Sequence, residues 1–144
     1  MIRCENGPLA ETLRALPLSA GTLVFVSSSQ ISDDWDAVAG ELSEAFDLSQ
    51  AAARGGAPVV YIVENDNLLG RRGAGGAMVA CGLLSAARTL AIETVRSGIA
   101  ANTIAFDDTA PEVVGFWVEA LCRPNGPTGE IVRLGSGHLG KALP

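Results

Sequence analysis

Acidic side chains follow two apolar runs of the sequence, and by type they are the residues best suited to acid–base chemistry. Glu64 and Asp66 come directly after the run PVVYIV, and Asp107 follows the run ANTIAF. The carboxyl ends of parallel strands are the usual ligand side of an α/β sheet, so these carboxylates could act as general acids or bases. Polar residues also collect in solvated loops without any function, which is the more frequent case. Both interpretations of Glu64, Asp66 and Asp107 stay open.

The other residue types that commonly do chemistry are isolated in this sequence. His138 is the only histidine, and no second histidine or cysteine lies at metal-ligand spacing from it. Cys4, Cys81 and Cys122 form no C-x-x-C pair, so neither a zinc site nor a disulfide framework is predicted. Ser27–Ser29 could hold an anion on backbone N–H groups, although a short polar turn explains them more simply. We therefore predict no metal ligands, and a reduced, cytoplasmic location.

The composition is that of an acidic, globular domain. The 144 residues are 48% hydrophobic and 18% charged, with a net charge of -6. These values exclude a disordered chain, and the absence of a basic stripe argues against nucleic-acid binding. Arg71 and Arg72, the closest approach to a basic cluster, are flanked by glycines as in a solvated loop. No basic segment followed by an apolar run opens the sequence, so no signal peptide is expected.

Strand-type and helix-type runs alternate along the chain. The strand-type runs are rich in β-branched residues without polar alternation, as in strands covered on both faces. Strands are predicted at Ile2–Cys4, Thr22–Val26, Pro58–Val63, Ile99–Ala105 and Glu130–Leu134, and helices at Pro8–Leu16, Ser32–Arg54, Gly76–Gly98 and Pro111–Cys122. Helical spacing assigns two sets of residues to buried helix faces, which are Trp35, Val38, Leu42, Phe46 and Leu48 on one helix and Val113, Val114, Trp117, Val118 and Leu121 on another. The alternation predicts one α/β domain over residues 1–144, a doubly wound (Rossmann-like) parallel sheet with helices on both faces.

The long helix predicted to begin at Gly76 is apolar or small almost all the way round. A helix that covers one face of a sheet needs only one apolar stripe, so the remaining apolar surface calls for a second cover. Arg88 and Glu93 interrupt this helix, which makes it a poor membrane span. Cys81 is expected to be a small core residue of this helix. We therefore expect another subunit to lie against the outer side of the helix.

Four segments of the chain resemble the short-chain dehydrogenases/reductases, in the family's own order. TLVFVSSS and ISDDWDAVAGELSEAFDLSQAAA are similar to the central strand and the helix after it, and PVVYIVEN to the strand that ends in the catalytic serine. LLSAARTLAIETVRSGIAANTIA resembles the helix and strand after the active-site tyrosine and lysine, and TGEIVRLGSG resembles the closing strand. The resemblance runs from about residue 22 to residue 140. It implies a truncated, degenerate member of this family.

The resemblance also implies that the catalytic groups of the family are missing. It places the family's tyrosine at Gly76 and its lysine at Ala80. Hydride transfer to a carbonyl needs a proton donor, and neither residue can supply one. Tyr61 is the only tyrosine and Lys141 the only lysine, so a Tyr-x-x-x-Lys pair cannot be built in any register. No catalytic residue is therefore expected.

Other positions of the family's active site are replaced in the same way. By the resemblance, the catalytic serine falls on Val63 or Glu64, and the helix asparagine falls on Glu41 or Leu42. Residues 27–30, SSSQ, take the place of the family's Asn-Asn-Ala-Gly run. The groups that orient the substrate are thus expected to be lost together with the proton donor.

The dinucleotide turn of the family is expected to be missing too. In the family, a glycine-rich turn after the first strand sets a helix N-terminus against the pyrophosphate. The glycines between residues 70 and 76 lie in a different context, so no cofactor-binding residue is predicted. Residues 1–20 are expected to be an atypical N-terminal segment in place of the dinucleotide-binding half. Ile2–Cys4 would then lie beside the central strand, through a short right-handed crossover at Pro8–Leu16.

The resemblance implies that this chain keeps the surfaces through which subunits of the family associate. In the family, two long helices from each subunit form a four-helix contact, and the closing strand and its helix form another. The interface residues expected on the long apolar helix are Ala77, Ala80, Cys81, Leu84, Ala87, Arg88 and Ala91. The resemblance implies a non-catalytic subunit that pairs with an active NAD(P)-dependent alcohol dehydrogenase or ketoreductase in a hetero-oligomer, such as a heterotetramer. That partner would hold the NAD or NADP, and its substrates could include a hydroxyacyl- or oxoacyl-CoA.

Two interpretations from other classes stay open. The first is a homo-oligomeric enzyme with non-redox chemistry, a lyase or cyclase, that works in the remnant cleft with Glu64, Asp66 and Asp107 as its acid–base groups. The second is a small module that binds a nucleotide or an acyl group without turnover. A cleft that encloses two of the carboxylates would favour the first of these, and dinucleotide binding by the chain alone would favour the second.

Overall fold

The computed structural model describes residues 1–135, and strands and helices alternate through most of this range. The strands are β1 Ile2–Arg3, β2 Leu23–Val26, β3 Val59–Glu64, β4 Ala101–Phe106 and β5 Ile131–Leu134. The helices are α1 Pro8–Arg14, α2 Trp35–Arg54, α3 Asn65–Leu68, α4 Ala74–Thr94 and α5 Pro111–Leu121, and a single 3₁₀ turn, Val95–Ser97, follows α4. Every predicted strand and helix is present, within a few residues of its predicted bounds. The short helix α3 lies between β3 and α4, in a segment for which neither a strand nor a helix was predicted.

The five strands form one parallel sheet in the order β1-β2-β3-β4-β5. Val24 of β2 lies beside Val60 of β3, which lies in turn beside Asn102 of β4. The central strands are buried along nearly their whole length, as their unbroken apolar runs predicted. The predicted fold class, a doubly wound parallel α/β sheet, is confirmed.

Two layers of helices cover the sheet, each over its own apolar core. Alternate strand residues point to opposite faces, so Phe25 and Tyr61 pack under α2 and α4, whereas Val24 and Ile62 pack under α1 and α5. The core under α2 and α4 is filled largely by alanines from the helices. The core under α1 and α5 is filled by larger aliphatic residues such as Leu13, Val118 and Leu121.

The first strand pairs with the central strand, as predicted for Ile2–Cys4. Ile2 lies beside Val24 and Arg3 beside Phe25, in parallel register, and this hypothesis is confirmed. Both α1 and α2 carry the chain one strand further in the same direction, yet they lie on opposite faces. Because the two connections move in the same direction over opposite faces, one of them is right-handed and the other is left-handed. If the connection through α1 were right-handed, as predicted, the connection through the 20-residue α2 would be left-handed, against the strong preference for right-handed crossovers.

Two residues predicted for the buried side of α2 face outward, whereas Val38, Leu42 and Leu48 pack against the core as predicted. Trp35 and Phe46 are 65% and 64% exposed, whereas Val38, Ala45 and Ala52 are buried against the sheet. Trp35 and Phe46 are about three turns apart and lie on one line of the helix, and the small residues lie on a neighbouring line. The close approach of α2 to the sheet requires small side chains, so the aromatic line faces outward.

Two further burial predictions are wrong, each at a single residue. Val113 of α5 is 44% exposed, although Val114, Val118 and Leu121 face the sheet as predicted and Trp117 packs against the same core. Cys81 of α4 is exposed and is not a core residue, because Ala80 beside it takes the position against the sheet.

Helix α4 packs across the middle of the sheet. Val79, Leu83 and Ala87 are buried against β3 and β4, whereas Met78 and Ile92 are exposed on the outer side. Within residues 1–135, the segment Ala74–Ser97 is the one helix long and apolar enough to cross a membrane by length and composition. Its contacts with the sheet account for one apolar side, and the cover expected on the outer side stays a prediction.

Candidate functional site

The two positions that the resemblance assigns to a catalytic tyrosine and lysine lie on the first turns of α4. Gly76 is buried and Ala80 faces the sheet. A Cβ atom added to Gly76 would overlap the amide oxygen of Asn67, which belongs to the short helix α3. Asn67 is itself buried and donates a hydrogen bond from Nδ2 to the carbonyl of Ser29, at 3.3 Å. The space beside Gly76 is therefore filled by the amide of Asn67, which would have to shift to admit a side chain at position 76.

The only tyrosine of the chain is enclosed in the core, away from the carboxyl ends of the strands. Tyr61 lies in the middle of β3, packs edge-on against Phe25 at 6.4 Å between ring centroids, and bonds to Ser49 of α2 at 2.6 Å. Burial raises the pKa of the Tyr61 phenol above its usual value. Both its position and its pKa make Tyr61 unsuitable as a proton donor at neutral pH.

A strand, a turn and a helix form the N-terminal segment, as predicted for Ile2–Cys4 and Pro8–Leu16. The turn between β1 and α1 is Cys4–Gly7 and has one glycine. The cavity beside this turn measures about 170 Å³ and is lined by two carboxylates, those of Glu5 and Glu64. Pockets for drug-sized ligands measure about 300–1,000 Å³. The cavity is small for a dinucleotide, and its carboxylates oppose a pyrophosphate.

The backbone of the Ser27–Ser29 turn already binds an anionic group of the chain itself. The N–H of Ser28 donates to Oε1 of Glu41 at 2.8 Å. Oε2 of the same carboxylate accepts from Arg3 at 2.6 Å, and Arg3 also donates to the carbonyl of Val26 at 2.7 Å. Glu41 is one of the two positions assigned to the family's helix asparagine. In this chain it joins β1, the turn after β2 and α2.

The predicted acid–base residues meet at the carboxyl ends of β3 and β4. Glu64, Asp66 and Asp107 line one cleft of about 320 Å³, together with Arg72. Arg72 forms ion pairs with Glu64 and, at 3.8 Å, with Asp66. Oδ1 of Asp107 is buried, has no hydrogen-bond partner among residues 1–135, and lies against Gly135, where a Cβ atom would overlap it. The three carboxylates thus converge, but Glu64 is paired with Arg72 and Asp66 is paired with Arg71 at 3.2 Å.

A second concave surface lies between α2 and α4, and its lining reaches Tyr61 of β3. It is a groove of about 390 Å³ with mostly apolar walls. At its centre, a Cβ atom on Gly82 would come within 2.9 Å of Leu42, so the two helices are in close contact there. Phe46 lines the groove from α2 and is largely exposed.

The predicted interface residues of α4 divide between its two sides. Ala80, Ala87 and Ala91 are at most 6% exposed and belong to the chain's own core, so they have no surface left for a partner. This part of the prediction is corrected, because small residues are what brings α4 close to the sheet. Cys81 and Arg88 are exposed and Ala77 and Leu84 half-buried, and their contact with a partner stays a prediction.

Within residues 1–135, no three of the His, Cys, Asp and Glu side chains are placed to hold a metal ion. His138 and Lys141 lie outside the residues that the structure describes. Burial raises the pKa of the Cys4 thiol, and raises that of Cys122 to about 11. Both thiols are therefore protonated at neutral pH, which makes them poor nucleophiles and poor metal ligands.

Comparison with solved structures gives consistent matches. A short-chain dehydrogenase/reductase family protein superposes with a TM-score of 0.63 at 21% identity, over 88% of this chain and 69% of that one. A 4-hydroxyisoleucine dehydrogenase complexed with NADH and succinate gives 0.64 at 18%, over 81% and 67%. A short-chain dehydrogenase/reductase family oxidoreductase from Burkholderia thailandensis gives 0.66 at 16%, over 87% and 67%. The chain has the short-chain dehydrogenase/reductase fold.

At these identities the matches establish the fold alone. No protein-family model and no curated protein sequence matches the chain. The chain spans about two thirds of the length of the solved structures that it matches. What the short-chain dehydrogenase/reductase fold does in this protein is therefore argued from its own residues.

Two residues that organise the site were missed by the sequence analysis. Arg3 gave no signal beyond a charge in a short apolar segment, yet it holds Glu41 and stacks on the ring of Phe25 at 4.7 Å. Asn67 was assigned to a loop because glycines follow it, yet it fills the space beside Gly76. The polar residues N-D-N directly after a buried strand were the one available indication of a helix start there.

Proposed function

We propose that this chain is a non-catalytic structural subunit with the short-chain dehydrogenase/reductase fold. It associates with an active NAD(P)-dependent alcohol dehydrogenase or ketoreductase in a hetero-oligomer, such as a heterotetramer. The partner carries the NAD or NADP and the catalytic residues, and its substrates include alcohol/ketone pairs of the hydroxyacyl- and oxoacyl-CoA class. The chain contributes contact surface and not chemistry.

The observation that carries this proposal is the packing of Asn67 against Gly76. A catalytic tyrosine at this position would need open space at the carboxyl ends of β3 and β4. Instead, the amide of Asn67 occupies even the place of a Cβ atom, and Ala80 is buried where the lysine would stand. This packing supports a non-catalytic role for the chain.

The cofactor side of the fold supports the same proposal. The turn between β1 and α1 leaves a cavity of about 170 Å³ lined by Glu5 and Glu64. Carboxylates beside a pyrophosphate cost binding free energy through like-charge repulsion. Dinucleotide binding by this chain alone is accordingly not expected.

The outer side of α2 and α4 supports the association. Trp35 and Phe46 on α2 and Met78 and Ile92 on α4 are between 47% and 75% exposed. Exposed apolar side chains grouped on one face indicate an interaction surface, whereas scattered ones do not. A partner that presents two helices would cover all four residues.

Co-expression tests the proposal directly. The chain is produced with the dehydrogenase encoded nearest to it, and the mass of the purified assembly is measured. Phe46→Glu is expected to abolish co-purification, because a carboxylate would be buried in the contact. Phe116→Glu tests the other implied contact separately, since Phe116 of α5 is similarly exposed, at 62%, on the helix before the closing strand. A stable monomer that ignores the dehydrogenase would contradict the proposal.

A second candidate function is favoured by one observation, the convergence of Glu64, Asp66 and Asp107 in a single cleft. These carboxylates could serve acid–base chemistry of a lyase or cyclase in a homo-oligomer. The same co-expression experiment separates the two candidates. A homo-oligomer that forms without the dehydrogenase, and whose turnover is lost in Asp107→Asn, would favour the second.

A further inference from the structure

The groove between α2 and α4 has a polar floor beneath apolar walls. Leu42 and Phe46 of α2 and Leu83 and Leu90 of α4 form the walls. Ser49 and Tyr61 are the buried polar members of the lining, and Glu93 is its one charged member among the described residues. The volume of about 390 Å³ lies in the range of ligand pockets. Neither acid–base chemistry nor dinucleotide binding explains this combination.

The hydrogen bonds on the floor leave an acceptor without a donor. The hydroxyl of Ser49 donates its single proton to the carbonyl of Ala45, at 2.5 Å. The 2.6 Å bond between Ser49 and Tyr61 must then use the phenolic proton of Tyr61. The phenolic oxygen of Tyr61 accepts no hydrogen bond from residues 1–135. A buried acceptor in an apolar surrounding is stabilised by any donor that enters.

We propose that this groove is a socket for a hydrogen-bond-donating aromatic side chain, tyrosine or tryptophan, on a helix of the partner subunit. This inference rests on the proposed function. The apolar walls take the ring, which buries about 150–250 Å² for such side chains, and the phenolic oxygen of Tyr61 accepts the bond from the ring's O–H or N–H. The negative charge of Glu93, the one charged residue that the structure describes in the lining, attracts a hydrogen-bond donor of the partner and repels an acidic side chain.

This chain itself has one exposed tyrosine or tryptophan among the described residues of α2 and α4, which is Trp35. Its only tyrosine forms the floor of the groove, and Trp117 packs under the other helix layer. Trp35 is exposed at the start of α2, about three turns from Phe46. A second copy of this chain would have to use Trp35. Self-association of the wild-type chain that Trp35→Phe abolishes would assign the groove to a second copy and overturn the proposal.

Side-chain analogues test the socket on the isolated chain. p-Cresol corresponds to a tyrosine side chain, and toluene corresponds to the same ring without a donor. We expect p-cresol to bind about three- to ten-fold more tightly than toluene, which is the range of one net hydrogen bond. Binding is measured from the chemical-shift changes of backbone amides along α2 and α4. Equal affinity for the two probes, or shifts confined to another surface, would overturn the proposal.

Two variants show which atom recognises the donor. Tyr61→Phe removes the acceptor and keeps the ring that packs on Phe25, so it is expected to abolish the preference for p-cresol and to leave toluene binding unchanged. A purely structural role of Tyr61 would weaken both probes equally. Ser85→Ala at the mouth is expected to preserve the preference, and its loss there would overturn the assignment to Tyr61. Because no dehydrogenase is present, this result is independent of the co-expression experiment.

Discussion

The guanidinium of Arg3 and the carboxylate of Glu41 lie 2.6 Å apart, and together they connect the first strand of the sheet to α2. The carboxylate also accepts from the backbone of Ser28, and the guanidinium stacks on Phe25. This pair closes the edge of the sheet beside the turn where the short-chain dehydrogenase/reductase fold otherwise carries a dinucleotide. A position that the resemblance assigns to an active-site asparagine has thus become part of the scaffold.

Glu41→Gln is expected to lower the free energy of unfolding by about 1–3 kcal/mol, because it removes one charge of a pair that is largely buried. The side chain of Glu41 is 9% exposed. Glu44→Gln is the matched control, since Glu44 also pairs with Arg3, at 3.0 Å, but is 46% exposed. The control should lose less than about 1 kcal/mol. Urea unfolding measures both changes, and equal losses would show that burial of the Glu41 pair has no special role.

Gly76→Ala is expected to destabilise the chain by about 1–3 kcal/mol, because the new methyl group would overlap the amide of Asn67. Gly40→Ala is the control in a helix whose glycine has open space around it, and it should stabilise by about 0.5–1 kcal/mol. Thermal unfolding of the two variants measures this difference in sign. A stabilised Gly76→Ala would mean that position 76 is open, and the argument against a catalytic residue there would fail.

The free energy of unfolding is expected to decline above about pH 9. The cause is the ionisation of one phenol and two thiols whose pKa values are raised by burial. The pKa of Tyr61 is raised, as is that of Cys4, and that of Cys122 reaches about 11. The folded chain holds these protons more tightly than the unfolded chain does. Their stabilisation is therefore complete below the unfolded-state pKa values and is lost as pH rises through the folded-state values.

Absorbance at 295 nm follows this ionisation at a single residue, because Tyr61 is the only tyrosine. In the native chain the midpoint should lie above pH 10, and in urea it should return to about 10. Cys122→Ala should make the alkaline loss of stability less steep. A native midpoint at or below pH 10 would contradict the burial of the Tyr61 hydroxyl.

Asn102→Ala is expected to cost about 2–4 kcal/mol and to loosen β5. Asn102 is fully buried in β4, donates from Nδ2 to the carbonyl of Pro127 at 2.8 Å, and accepts at Oδ1 from the N–H of Glu130 at 3.1 Å. It thereby fixes the segment that leads into the edge strand. Hydrogen exchange should show faster exchange in β5 than in β3. Uniform protection in the variant would contradict this role.

The sheet could be predicted from the sequence because its strands are uniform apolar runs. Both faces of such a strand are apolar, so the prediction does not depend on which face each residue points to. The helix faces could not be predicted in full. Trp35 and Phe46 share one line of α2 and Ala45 lies on the next, and periodicity alone does not decide which line faces the sheet. Large residues are the usual choice for a core, but here the close approach of α2 and α4 to the sheet selects alanine.

The sequence could predict which catalytic residues are missing from the candidate site, but it could not predict which contacts replace them. The absence of a second tyrosine and of a nearby lysine is visible in the sequence itself. The contact between Asn67 and Gly76 is not, because it depends on a four-residue helix within a glycine-rich segment. The pair of Arg3 and Glu41 joins residues far apart in sequence, and no local pattern encodes it.

The central claim is that this chain acts by association and holds no cofactor of its own. Native mass spectrometry of the chain, co-expressed with its neighbouring dehydrogenase and supplied with NAD or NADP, tests both parts at once. We predict an assembly that contains both chains, with as many bound dinucleotides as dehydrogenase subunits. A dinucleotide bound to this chain alone, or a chain that never enters the assembly, would contradict the claim.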